Sequence, residues 1–171
     1  MELEQISSKV PEISPDCLFA LIGGKESIDK LFMAIEESLA DEEDEIFKDK
    51  LTQILSFSEF DYSFKELVMT ILKEHTFTDS LTATVTEMYG PIHLTEDEFD
   101  KIIAIMRLKM VKLRIVKKPI LLRNSISKLG SLRDMLVIPE IIDDSLFARL
   151  GKMEGLQSIV DHVFDNVKEN P

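Results

Sequence analysis

Val10-Pro11-Glu12-Ile13-Ser14-Pro15-Asp16-Cys17-Leu18-Phe19-Ala20-Leu21-Ile22-Gly23-Gly24-Lys25-Glu26 is the stretch that decides how this 171-residue chain is read, because much of it is written twice. Ile138-Pro139-Glu140-Ile141 restates its opening 128 positions later, and Asp144, Leu146-Phe147-Ala148, Gly151 and Glu154 follow in the same register. Past the identities, apolar character still matches at Ile28/Leu156, Leu31/Ile159, Phe32/Val160, Ile35/Val163 and Leu39/Val167. Those positions lie three and four apart, on one side of a helix. Two unrelated amphipathic helices would share that stripe, but not Pro-Glu-Ile and Leu-Phe-Ala in register. A period of 128 is too long for a solenoid and suits a duplicated domain. The reading is therefore an arm over 1–13, a complete domain over 14–137, a linker over 138–143, and a partial second copy over 144–171 that supplies two helices.

Outward from that opening, the pattern is helical throughout. Ser14-Pro15 reads as a helix start, with a capping serine and proline at the first helical position. Gly23-Gly24 ends that short helix, and a second runs from about Lys25 to Ala40. Beyond the acidic corner Asp41 to Glu45, one helix carries Phe47, Leu51, Ile54 and Leu55 on a single face, and the next carries Phe64, Leu67, Val68, Ile71 and Leu72. Thr78 or Asp79 starts another that ends at Gly90-Pro91. Thr95-Glu96-Asp97-Glu98 is a capping box opening the longest helix, with Phe99, Ile102, Ile103, Ile105, Met106, Met110, Leu113 and Ile115. Pro119 starts a further helix to about Val137, with Leu121, Leu122, Ile126, Leu129, Leu132 and Leu136 apolar. No alternating strand pattern competes, so the fold class is all-α.

Charge is segregated. The formal net charge is −12, yet residues 101–133 hold ten basic side chains and no acid. They are Lys101, Arg107, Lys109, Lys112, Arg114, Lys117, Lys118, Arg123, Lys128 and Arg133. Ten basics against all 32 acids leave about −22 on the remainder. Such a block is either a helix face paired with the protein's own acids or a docking surface for an acidic partner. Aromatics do not interleave with it, so base stacking on nucleic acid is not expected. No apolar run approaches the roughly 18 residues of a membrane span, and Met1-Glu2-Leu3-Glu4-Gln5 is acidic and unlike a secretory signal. One cysteine, Cys17, excludes an internal disulfide and paired-cysteine zinc. These features point to an intracellular, cytoplasmic protein, with a cytoskeletal setting among the expectations.

The motifs resemble the truncated (two-over-two) haemoglobins. Leu18 to Ile28 is similar to that family's opening leucine-aromatic, glycine-glycine and amphipathic helix, and Leu146 to Pro171 is similar again. Ile92-His93-Leu94-Thr95-Glu96-Asp97-Glu98-Phe99 matches its turn into a long helix. The resemblance implies a globin-like unit over about 14–137, followed by a helical hairpin from a second copy. It also implies haem as the cofactor to test, and the pattern departs there. Family members place a proximal histidine a few residues before the apolar-Thr-acid run, a position held here by Tyr89. Tyrosine can ligate haem iron, but an anionic phenolate favours ferric iron over reversible oxygen binding. The family's distal aromatic pair falls on Ile35-Glu36, and on Val163-Phe164 in the second copy.

The histidines do not repair that site. His93, four residues beyond Tyr89, reads as a loop residue that could approach iron only if the turn shifted. His75 reads as a helix C-terminal residue favoured by the dipole, and His162 as exposed. Gly23-Gly24-Lys25 lacks the earlier glycine of a phosphate loop, Cys17 has no histidine fixed near it, and Glu42 to Glu45 lacks the central glycine of a calcium loop. The favoured expectation is a non-enzymatic interaction module without haem. Its degenerate pocket would be filled by Phe32, Phe64, Val68, Met88 and Phe99. Its contact surface would be Lys109, Lys112, Arg114, Lys117 and Lys118, together with Phe147, Leu150 and Val163 of the second copy. The partner would be a protein with an acidic surface, or another globin-like copy. The alternative is a haem protein binding oxygen or another small gas, with Tyr89 or His93 at the iron.

Overall fold

A glycine in a conformation closed to other residues sets the first corner of the protein. Gly23 has φ 102, and a Cβ there would lie 2.3 Å from Ser27 Oγ, so only glycine fits the junction between α1 (Leu18–Leu21) and α2 (Gly24–Ser38). The computed structural model describes residues 14–57, 62–137, 157–158 and 160. Two compact units divide the chain, Met1–Ile138 and Pro139–Pro171. In the first, α3 (Glu45–Ser56), α4 (Phe64–Leu72), α5 (Asp79–Tyr89), α6 (Glu96–Lys112), α7 (Pro119–Gly130) and α8 (Arg133–Leu136) follow. Short 3-10 turns lie at Leu39–Asp41 and Gly90–Ile92. Every regular element among the described residues is helical, with one isolated parallel bridge between Leu94 and Val137.

Four of the longer helices, α3 to α6, start where a side chain meets an otherwise unpaired backbone N–H, while α2 and α7 open without a side-chain cap. Asp44 Oδ1 accepts from Phe47 N at 3.0 Å, Ser63 Oγ from Glu66 N at 3.2 Å, and Thr78 Oγ1 from Leu81 N at 3.2 Å. At α6 the capping box is complete: Thr95 Oγ1 accepts from Glu98 N while Glu98 Oε2 accepts from Thr95 N. The core follows the apolar stripes. Ile28, Leu31, Phe32 and Ile35 of α2 are buried, and α2 packs on both α4 and α6. Burying each large aliphatic side chain stabilises the fold by roughly 1.5–3 kcal/mol, and emptying the fully buried Leu31 position to alanine would cost about 2–5 kcal/mol. α7 lies against α1, α4 and α6, and α8 against α5 and α6.

Three boundaries differ from the sequence reading. α6 stops at Lys112, short of Leu113 and Ile115, because Leu113 is its C-cap and Arg114 turns left-handed with φ 53. Ser14-Pro15 does not cap a helix; Ser14 Oγ accepts from Asp16 N and Ser14 O from Cys17 N, forming a turn, and α1 begins three residues later behind an extended Cys17. The helix expected from Pro119 to Val137 is two helices. At the junction Ser131 N and Leu132 N donate to carbonyls three residues back, and Ser131 Oγ donates to Lys128 O. The tightened turn leaves Leu129, Leu132, Met135 and Leu136 all buried. In the second unit, Gln157, Ser158 and Val160 are helical and exposed. The remainder of the expected hairpin over 144–171 lies outside the described residues.

Candidate functional site

Tyr89 closes α5 with its ring turned into the core, at 1% exposure. Its hydroxyl donates to the carbonyl of Tyr62 at 3.0 Å, and the Phe57 ring meets it edge-on with centroids 5.1 Å apart. Burial pushes the phenol's pKa far above its usual value. In this arrangement the hydroxyl is engaged by the Tyr62 carbonyl and the ring is packed in the core rather than opening onto a cavity. His93 is exposed, three residues beyond the start of the 3-10 turn, with φ 52. What His93 contributes to the fold is its backbone carbonyl, which accepts from Lys50 Nζ at 2.9 Å. The two residues are thus not brought onto a shared cavity.

The side chains expected to fill a degenerate pocket sit in one apolar core. Phe32, Phe64, Val68 and Phe99 are buried, and Met88 is half-buried against them. Phe32 and Phe64 pack edge to face with centroids 5.7 Å apart. Ile35 of the distal pair is buried, while Glu36 is exposed. Glu36 borders an open cleft of about 530 Å³ between α2, α3 and α4, which also presents Met33 and Asp29. Asp29 is held between Lys65 and Lys25, and those two ammonium groups, Lys65 foremost, lower its pKa. No sequence motif marked this triad, because Lys65 and Asp29 meet only when α4 packs on α2.

Lys50 is a second residue the sequence reading passed over. Its ammonium bonds both Glu98 oxygens at 2.8 Å as well as the His93 carbonyl. α3 is thereby tied to the turn after Tyr89 and to the cap of α6. Burial raises the Glu98 pKa, but the bonds from Lys50 and from the Thr95 backbone outweigh it and hold the carboxyl below its usual value.

The basic block divides into paired ends and an unpaired middle. Lys101 bonds Glu42 at 2.9 Å and lies over the Phe47 ring. Arg133 bonds Glu96 and Asp100 and lies over Phe99. Among the described residues, none of the eight basics between them has an ion-pair partner. Lys112, Arg114, Lys117 and Lys118 are exposed around the α6–α7 connection, and Lys109 is half-buried one turn before it. Interleaved with them, Leu108, Val111, Leu113 and Ile120 are exposed aliphatics. Phe147, Leu150 and Val163, like His162, lie outside the described residues, while their neighbour Val160 is exposed.

His75 is half-buried two residues past the C-cap of α4. Among the described residues, no helix is long and apolar enough to cross a membrane. Nor do three or more histidine, cysteine, aspartate or glutamate side chains converge as a metal site. No protein-family model, curated protein or solved structure matches the chain.

Proposed function

We propose that this chain is a globin-like helical module that lacks haem chemistry and serves as a docking element within a larger assembly. Its basic α6–α7 edge meets an acidic protein surface. One observation carries the reading: eight adjacent cations have no ion-pair partner among the described residues, while the cations at both ends of the same block are paired. Like charges this dense repel one another, and an acidic partner relieves that repulsion as well as steering encounter. The sequence resemblance supports a truncated-globin-like arrangement, and the burial of Tyr89 with its hydroxyl bonded to the Tyr62 carbonyl supports the absence of a haem role.

Two experiments test it. Replacing Lys112, Arg114, Lys117 and Lys118 together by glutamate should weaken binding of poly-glutamate at low salt more than tenfold, with the helical circular-dichroism spectrum unchanged. Equal binding by the variant, or unfolding of the monomer, would refute the docking surface. Titration with hemin should give no saturable Soret shift; a saturable shift abolished by Tyr89→Phe would establish the haem reading instead.

A further inference from the structure

α6 is apolar on two faces, and the core explains only one of them. Its inward face carries Phe99, Ile102, Met106 and Met110, all buried. On its outer side, Ile103, Leu108 and Val111 join Ile126 of α7 around a surface groove of about 500 Å³. Leu108 and Val111 are 51% and 52% exposed, while Ile103 and Ile126 are half-buried beneath them. Arg107 lines the same groove, and Arg123 stands one helical turn before Ile126. Neither arginine has an ion-pair partner among the described residues. The one carboxylate lining the groove, Asp100, is bonded to Arg133.

We infer that this groove seats an amphipathic helix with acidic flanks, presented by the protein partner; the inference rests on the docking function proposed above. A seam between two packed helices accepts the side-chain row of a third, with anchors at i, i+3 or i+4, and i+7. Aliphatic anchors on such a helix reach Ile103 and Ile126 past Leu108 and Val111. Carboxylates one turn from those anchors meet Arg107 and Arg123, whose planar guanidinium groups suit bidentate contact with a carboxylate. The aliphatic floor offers no ring for a nucleic-acid base to stack on.

The test uses the full-length chain and two labelled helical peptides with leucine at i, i+3, i+4 and i+7. One carries glutamate at its flanking positions and the other lysine. By fluorescence anisotropy at low salt, the glutamate peptide should bind at least tenfold more tightly than the lysine peptide. Leu108→Ser combined with Val111→Ser should weaken it tenfold or more, and Arg107→Gln should weaken it and flatten its salt dependence. Unchanged binding by the serine variant would overturn the groove. If that occurs while the four-glutamate variant still loses binding, the basic docking surface stands and the groove alone fails; if neither variant matters, both fall. Loss of phosphatidylserine-vesicle binding or of self-association in the serine variant, without any binding of the glutamate peptide, would give the groove to lipid or to a second copy and overturn the inference.

Discussion

Glu74 and Ser125 hold positions where the chain works against its own residue types. Glu74 has φ 61 and Arg114 φ 53, and each is followed by a long-reach helix-closing bond, His75 N to Thr70 O at 3.2 Å and Ile115 N to Met110 O at 3.0 Å. That is the Schellman closure, in which glycine normally occupies the left-handed position. The conformation costs an L-residue about 1–2 kcal/mol, and glycine's greater freedom in the unfolded chain offsets roughly 0.5–1 kcal/mol of the relief. Glu74→Gly should therefore stabilise the protein by up to about 1 kcal/mol, read as a higher urea midpoint; a lower midpoint would show that the glutamate side chain contributes more than its backbone strain costs. Ser125 is fully buried, and its hydroxyl has no hydrogen-bond partner among the described residues. Removing an unsatisfied buried hydroxyl relieves about 1 kcal/mol or more of desolvation, so Ser125→Ala should raise the thermal midpoint. A drop would mean that the hydroxyl is satisfied in solution.

Among the elements, the joint of α3 with the start of α6 depends most on one residue. The Lys50 and Glu98 side chains are each only 19% exposed, so loss of either leaves the other half-buried and unpaired. Lys50→Met is expected to destabilise by about 1–3 kcal/mol at neutral pH. The folded pKa of Glu98 lies below its ordinary 4.5. Its contribution is therefore complete above that value and lost as pH falls through the folded pKa. Glu98→Gln should lower stability at neutral pH and flatten the acid limb of a stability–pH curve; an unchanged limb would assign acid sensitivity to other carboxylates. Half of this joint is legible in the sequence and half is not. Thr95 and Glu98 announce the capping box because their partners lie three residues apart. Lys50 to Glu98, Lys101 to Glu42 and Arg133 to Glu96 span 48, 59 and 37 residues, and such pairs depend on how finished helices pack. The same limit hid the partner of Tyr89, a carbonyl 27 residues away. The break at Ser131-Leu132 was hidden for another reason: the apolar spacing from Leu129 to Leu136 suits a continuous helix equally well, and the tight turn follows from local hydrogen bonding.

At the level of the molecule, the chain divides after Ile138 into two compact units. The described core of the first runs from Cys17 to Val137 and includes both ends of the basic block through Phe47 and Phe99. Four of its helices, α3 to α6, carry side-chain caps, and its central stripe on α2 is covered by α4 and α6. A chain lacking residues 142–171 should therefore remain helical and melt cooperatively, within about 5 °C of the full protein, a shift corresponding to roughly 1 kcal/mol in a domain of this size. Residues 142–171 repeat the apolar stripe of α2 in sequence, at Leu156, Ile159, Val160, Val163 and Val167. On one helix, residues so spaced would make an apolar face that needs cover, so the same deletion should abolish any concentration-dependent assembly of the full chain in sedimentation. The two outcomes are separable. Retained fold with lost assembly assigns the repeated segment to contacts between molecules. Loss of the cooperative transition would make the segment part of the first unit's core and remove the module reading, because a docking element must fold without the part it lends to its partner.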